Sequence, residues 1–189
     1  MTGLLGGAFD PPHSGHLALA QRALEHFGLE RLLVLVVAAP GHKRVETDVE
    51  DRLELTRLAF ADLPRAEVVR DDHAYTVDFL REERPASDDT VFLVGADEFA
   101  DFRTWREPEE VLRLVRVAVA TRPGYPRELL DPILGALDHA DGVEHFDIPP
   151  TPVSSSEIRA RVRDGESIEG LVPESVAREI ARRGLYRAV

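Results

Sequence analysis

The chain has no cysteine, and in 189 residues it carries one methionine, one tryptophan and a single lysine. Without cysteine there is no disulfide framework and no thiolate metal site. No apolar run approaches the roughly eighteen residues that a membrane span needs, so no membrane partner is expected. The opening "MTGLLGGAFD" lacks the basic stretch and long apolar core of a secretory signal, and the protein reads as cytoplasmic. Positive charge is scarce as well: 23 Lys and Arg against 35 Asp and Glu leave a net charge of −12. Broad nucleic-acid binding needs a basic face, so nucleic acid is not an expected partner. A small anionic ligand remains open where cations gather locally. The one lysine, Lys43, falls in "PGHKR" (40–44).

With 43% apolar and 31% charged residues, the composition is that of an ordinary globular protein. The length suits one domain over residues 1–189, closed by a helical part from about residue 154. A homo-oligomer is compatible with this composition.

Short apolar runs alternate with amphipathic stretches. Strands are expected at 3–7, 31–39, 66–70, 90–95, 116–121 and 143–148. Helices are expected at 16–27, 48–63, 76–84, 107–115, 127–138, 155–165 and 173–184. In the first helix Leu17, Ala20, Leu24 and Phe27 recur at helical spacing, with Gly28 at its end. Pro173 and Gly184 bracket the last. Such alternation implies a Rossmann-like α/β fold, a doubly wound parallel sheet with helices on both faces. Ligands of such sheets bind beyond the carboxyl ends of the strands. The loops of interest are therefore 6–15, 39–48, 71–76, 95–106, 122–126 and 149–156.

The densest of these is "GGAFDPPHSGH" (6–16). Three readings compete for it. Its glycines permit a sharp turn, and the helix that follows presents free N–H groups and its positive dipole end, which together make an anion site. His13 and His16 then reach one point and donate to phosphate oxygens. Alternatively Asp10, His13 and His16 are zinc ligands, as in a metal hydrolase. The plainest reading is a strand–turn–helix with Ser14 as cap and histidines at the surface. The G-x-G-x-x-G spacing of a dinucleotide fingerprint is absent.

The same stretch resembles the GGxFDPxHxGH signature of the HxGH nucleotidyltransferases. "VSSSEIR" (153–159) resembles that superfamily's second signature, and the two lie in the right order roughly 140 residues apart. "VGADEFADFRTW" (94–105), "HAYTVDFL" (73–80), "ATRPGYP" (120–126) and "GLVPESVAREIARRGLY" (170–186) resemble segments of bacterial nicotinate mononucleotide adenylyltransferases. The likeness covers nearly the whole chain. It implies transfer of AMP from ATP to nicotinate mononucleotide, giving deamido-NAD and pyrophosphate, with Mg²⁺ carried by ATP and no metal bound by the protein itself.

The resemblance assigns roles. Backbone N–H groups of Gly7, Ala8 and Phe9 cradle a phosphate. His13 and His16 hold the triphosphate and stabilise charge at the α-phosphorus, and Lys43 supplies a mobile cation. Ser154, Ser155, Ser156 and Arg159 bind the β- and γ-phosphates; taken alone, those serines and the arginine read as an ordinary helix cap. Asp97, after Gly95, accepts from ribose hydroxyls, or else marks a common turn. Trp105 is a platform for the pyridine ring, or else a core residue. Tyr75 and Thr76 meet the pyridine substituent, and Arg122 lies near the adenine or phosphates.

Four positions depart from the family pattern. Val36 and Val37 stand where many members have Pro-Asn, Gly41 replaces a proline, and Arg106 stands where an aromatic is common. Arg106 could place a cation near a nicotinate carboxylate. Nicotinamide mononucleotide is thus the next acceptor to consider. A non-catalytic nucleotide-binding protein is the reading from another class.

Overall fold

The computed structural model describes residues 1–41, 43–83, 89–121 and 127–187. Six strands form a parallel sheet: β1 (Thr2–Gly7), β2 (Arg31–Val37), β3 (Ala66–Asp71), β4 (Thr90–Gly95), β5 (Arg116–Thr121) and β6 (Val143–Asp147). Their order is β3-β2-β1-β4-β5-β6, with every neighbouring pair parallel. The chain winds outward from β1 on one side, then returns to β4 and winds outward on the other. The topological switch point, where doubly wound sheets open a crevice, therefore lies between β1 and β4. The helices are α1 (Ser14–His26), α2 (Val49–Phe60), α3 (Thr76–Glu82), α4 (Ala96–Phe99), α5 (Pro108–Leu114), α6 (Asp131–Leu134), α7 (Ser155–Arg163) and α8 (Glu174–Arg183). No described helix is long and apolar enough to cross a membrane.

Side chains alternate across the sheet and build two cores. Leu5, Val34, Val36 and Leu93 face one layer, where α1, α2, α7 and α8 contribute Leu24, Phe60, Ile158 and Ile180. Leu4, Leu35, Phe92 and Val94 face the other, where Leu80, Phe99 and Val111 pack from α3, α4 and α5. Each fully buried Leu, Val or Phe is worth about 1.5–3 kcal/mol over exposure. That is why the four inner strands read as near-continuous apolar runs, whereas the edge strands β3 and β6 carry charged residues.

Most boundaries fall where periodicity puts them, with instructive exceptions. Strand β2 ends at Val37, not residue 39, because the Val37 and Ala38 carbonyls turn toward the Arg52 side chain. The segment expected as one helix over 127–138 is a short turn, Arg127–Leu129, followed by the four-residue α6. Pro132 lacks an N–H and its ring bars a preceding helical turn, so it starts a new helix instead of continuing one. Pro173 likewise occupies the cap of α8, not its first turn. The loop expected at 95–106 contains α4 and a further turn at Phe102–Thr104.

Candidate active site

The β1–α1 loop is held from below. Phe9 has φ 49°, a left-handed conformation that costs a bulky residue about 1–3 kcal/mol. Its ring is locked in the core against Phe60 and beside His16. The next residue, Asp10, is 3% exposed. Its carboxylate accepts from the Glu46 N–H at 2.6 Å, the Thr47 hydroxyl at 2.7 Å and the Tyr186 hydroxyl at 2.9 Å. Two distant segments, residues 46–47 and Tyr186, thus close on one buried carboxylate. A carboxylate so committed is not a ligand waiting for zinc, and among the described residues no trio of His, Asp or Glu side chains could hold a metal ion.

The cap of α1 is His13, in extended conformation, and not Ser14, whose N–H is bound by the Leu171 carbonyl at 2.9 Å. His16 lies one turn in, and the two imidazoles stack with centroids 3.7 Å apart. The His13 N–H donates to His16 Nδ1 at 3.2 Å, which leaves the His16 proton on Nε2. Burial, followed by the charges of His13 and Lys43, holds the His16 pKa well below the usual histidine value. At neutral pH His16 is therefore a neutral ring with one N–H to donate.

Helix α7 brings the second signature to the same place. Ser154 caps it, accepting from the Glu157 N–H at 3.2 Å. The Ser155 hydroxyl donates to the Pro11 carbonyl at 2.8 Å. Arg159 donates to the Asp10 carbonyl at 2.7 Å, to Glu46 Oε1 at 2.9 Å and to the Ser156 hydroxyl at 3.3 Å. Arg163 takes the other Glu46 oxygen at 2.9 Å. One cavity of about 340 Å³ is lined by Phe9, His13, His16, Gly95, Arg159 and the serines 154–156. Groups from opposite ends of the sequence line one concave surface, beside the positive end of α1.

A second cavity, of about 460 Å³, opens across the ends of β3, β2, β1 and β4. Its walls include Tyr75, Thr76, Trp105, Arg106 and Val37. Gly7, Ala8, Lys43 and Asp97 line both cavities, so the two adjoin there. Lys43 Nζ lies 3.6 Å from Glu98 at this junction. Trp105 leans on Phe102 and stands edge-on to Phe92. Arg106 sits 5.0 Å over the Tyr75 ring and donates to Asp78 at 3.2 Å.

Two glycines permit close approaches. A Cβ on Gly95 would lie 2.8 Å from an Asp97 oxygen, and one on Gly41 would lie 2.6 Å from the Tyr75 ring. The second explains a departure from the family pattern, since a proline at 41 would displace Tyr75. Nearby, His73 bridges Asp71 at 2.7 Å and Glu82 at 3.3 Å. Partial burial disfavours its charge, but bonds to the two carboxylates outweigh this and raise its pKa.

Every described candidate therefore lines one cavity or the other. Arg122 lies outside the described residues. Sequence reasoning missed Arg52, Tyr186 and Glu46, which hold the loops in place, and it took Asp10 only as a metal-ligand alternative. Arg52 left a signal: it sits one helical turn before Thr56 on the buried stripe of α2, where a cation is out of pattern.

Residues 4–161 match the cytidylyltransferase-like family model. A "probable nicotinate-nucleotide adenylyltransferase" of Bordetella avium is 40% identical, with 98% of this chain and 97% of the relative covered. A counterpart from Thermus thermophilus is 39% identical, with 98% of each chain covered. A solved structure, Plasmodium falciparum nicotinic acid mononucleotide adenylyltransferase complexed with NaAD, superposes with a TM-score of 0.79. It covers 98% of this chain and 96% of that one, and at 16% identity it speaks to fold alone.

Proposed function

The chain belongs to the cytidylyltransferase-like family, among its nicotinate-nucleotide adenylyltransferases, and from that premise we propose that it joins ATP to nicotinate mononucleotide, giving deamido-NAD and pyrophosphate. The observation that carries the reading is the pair of adjoining cavities with Lys43 at their junction. The cavity of His13, His16 and Arg159 takes ATP. That of Tyr75, Thr76, Trp105 and Arg106 takes the mononucleotide. Residues 1–189 act as one unit in this reading, because Asp10 near one end is gripped by Arg159 and Tyr186 near the other.

The reaction asks little covalent chemistry of the protein. A phosphomonoester has a second pKa near 6, so the mononucleotide phosphate is already a dianion at neutral pH. Its oxygen attacks the α-phosphorus of ATP. A new P–O bond forms, the α–β bridge breaks, and pyrophosphate leaves with the electron pair. The obstacle is repulsion between two anions, so the protein's work is alignment and charge neutralisation. His16 donates through Nε2–H, Arg159 and the α7 serines hold the leaving pyrophosphate, and Lys43 approaches both reacting phosphates. Asp97 meets the ribose and Trp105 stacks on the pyridine ring. Mg²⁺ brought in with ATP would supply further charge neutralisation at the leaving group.

The decisive experiment offers ATP·Mg²⁺ with nicotinate mononucleotide, its amide, or phosphopantetheine, and follows pyrophosphate. Release with the acid form is the expected result. Equal efficiency with the amide would make the enzyme dual in specificity, and no release with any acceptor would overturn the reading. Because Arg106 is shared between Asp78 and the cavity, Arg106→Ala should narrow the preference for acid over amide.

A further inference from the structure

Arg52 lies at the start of α2, 1% exposed, outside both cavities. Its guanidinium donates to four backbone carbonyls: Ala8 at 2.8 Å, Val37 at 2.7 Å, Ala38 at 2.6 Å and Thr47 at 3.2 Å. Ala8 belongs to the phosphate-facing loop. Val37, Ala38 and Thr47 are the two feet of the loop that carries Lys43. The side chain is therefore a single rigid fork joining the two loops from beneath. Burial lowers its pKa, and the Asp10 charge offsets this only in part.

The consequence follows from peptide planarity. In a trans peptide the C=O and the next N–H point in opposite directions. With the Ala8 carbonyl drawn down to Arg52, the Phe9 N–H is turned the other way, and Phe9 lines the cavity of His13 and His16. We propose that Arg52 is a positioning residue for adenylyl transfer: it orients the Phe9 N–H toward the triphosphate and fixes the root of the Lys43 loop. This rests on the reading given above. Lysine cannot substitute, because an ammonium is a point donor whereas these four carbonyls need a planar fork.

The test uses Arg52→Lys, which keeps the charge and loses the fork, and Arg52→Ala supplemented with guanidinium ion. For Arg52→Lys, kcat per folded molecule should fall about 10²-fold, as when a donor to developing phosphate charge is misaligned. KM for the mononucleotide should stay within about threefold, because its ring-binding side chains are untouched. Added guanidinium should restore Arg52→Ala by about tenfold or more. An independent readout is the Phe9 amide resonance of ¹⁵N-phenylalanine-labelled protein titrated with inorganic triphosphate. It should shift in the parent protein and not in Arg52→Lys.

A kcat for Arg52→Lys within about threefold of the parent, at equal folded fraction, overturns the proposal. So does a Phe9 amide that responds equally in both proteins or in neither. Should Arg52→Ala not fold, the lysine variant decides alone. A parent that releases no pyrophosphate, yet shows the triphosphate-dependent shift that Arg52→Lys lacks, would uphold the positioning role and sink the assigned reaction instead.

Discussion

The Tyr186 hydroxyl offers a sharp test of how the nucleotide loop is held. It is 7% exposed and donates to a buried carboxylate, Asp10 Oδ1, at 2.9 Å, while lying 3.4 Å from the Thr47 hydroxyl. Tyr186→Phe keeps the ring and its packing and deletes one of three donors to that charge. A hydrogen bond to a charged group is worth about 1.5–3 kcal/mol, so a loss of about 2 kcal/mol is expected near pH 8. For a chain of this size that is a fall in Tm of roughly 4–8 °C. The pH dependence has a definite sign. Burial and the neighbouring Asp10 charge raise the Tyr186 pKa well above its ordinary value near 10, despite the Thr47 bond. The folded-state pKa is above the unfolded one, so this stability is fully present below pH 10 and is lost as pH rises further. By pH 11 the parent should have lost about 1.4 kcal/mol that the phenylalanine variant does not lose. The gap of about 2 kcal/mol should therefore shrink to about 0.6 kcal/mol. Urea unfolding of both proteins at pH 8 and pH 11 measures this, because the other titrating groups are common to both. A double-mutant cycle with Asp10→Asn should show coupling of about 1 kcal/mol or more. A gap below about 0.5 kcal/mol at pH 8, or one that does not narrow in alkali, would refute the clamp.

Three further outcomes follow. His16→Ala should lower turnover about 10²-fold or more with only a modest loss of unfolding free energy, about 1 kcal/mol for the bond to the His13 N–H; a large loss of stability with unchanged turnover would make the residue structural. Because the folded-state pKa of His16 is depressed, its stability is present above pH 6.5 and lost as pH falls. The parent should therefore lose about 1 kcal/mol more than His16→Gln between pH 6.5 and 5.5, read by urea unfolding. Lys43→Ala should cut kcat/KM by about tenfold or more while leaving Tm unchanged, since its half-exposed pair with Glu98 is worth about 0–1 kcal/mol. Trp105 is the only tryptophan, so its fluorescence should report mononucleotide binding directly, and Trp105→Ala should raise KM for the mononucleotide about tenfold or more without affecting KM for ATP.

The sheet was legible because its inner strands are buried apolar runs and the longer helices show a stripe. Such patterns depend only on neighbours in sequence. The cavities were legible for another reason: HxGH and VSSSEIR name their residues by type and spacing. What stayed hidden is what holds the loops. Arg52 inside an amphipathic helix, Asp10 beside a proline and Tyr186 near the chain's end acquire meaning only through partners many residues away. Periodicity carries no information about a carbonyl 44 positions distant. The break at Pro132 was local and could be read; the helical pattern of 127–138 outweighed it, wrongly.

A chain with net charge −12 that receives a polyphosphate needs some account of where its cations stand. Several cations at the cavities are already matched: Arg159 is held by Glu46, which also takes Arg163, Lys43 faces Glu98, and Arg106 holds Asp78. Bare cations crowded around an open crevice would repel one another and strain the loops that carry them. Carboxylates relieve that repulsion and hold the long side chains near the cavity walls. The matching is also weak where exchange is required. Glu46 and Glu98 are about 40% exposed, so water can take over their charge once phosphate displaces them. The bonds that set geometry are of another kind. Arg159 to the Asp10 carbonyl, Arg52 to four carbonyls and Tyr186 to the Asp10 carboxylate are shielded from water and survive that exchange. In this reading ATP trades places with surface carboxylates while the framework beneath stays fixed, and most of the charge neutralisation is reserved for the anions that react.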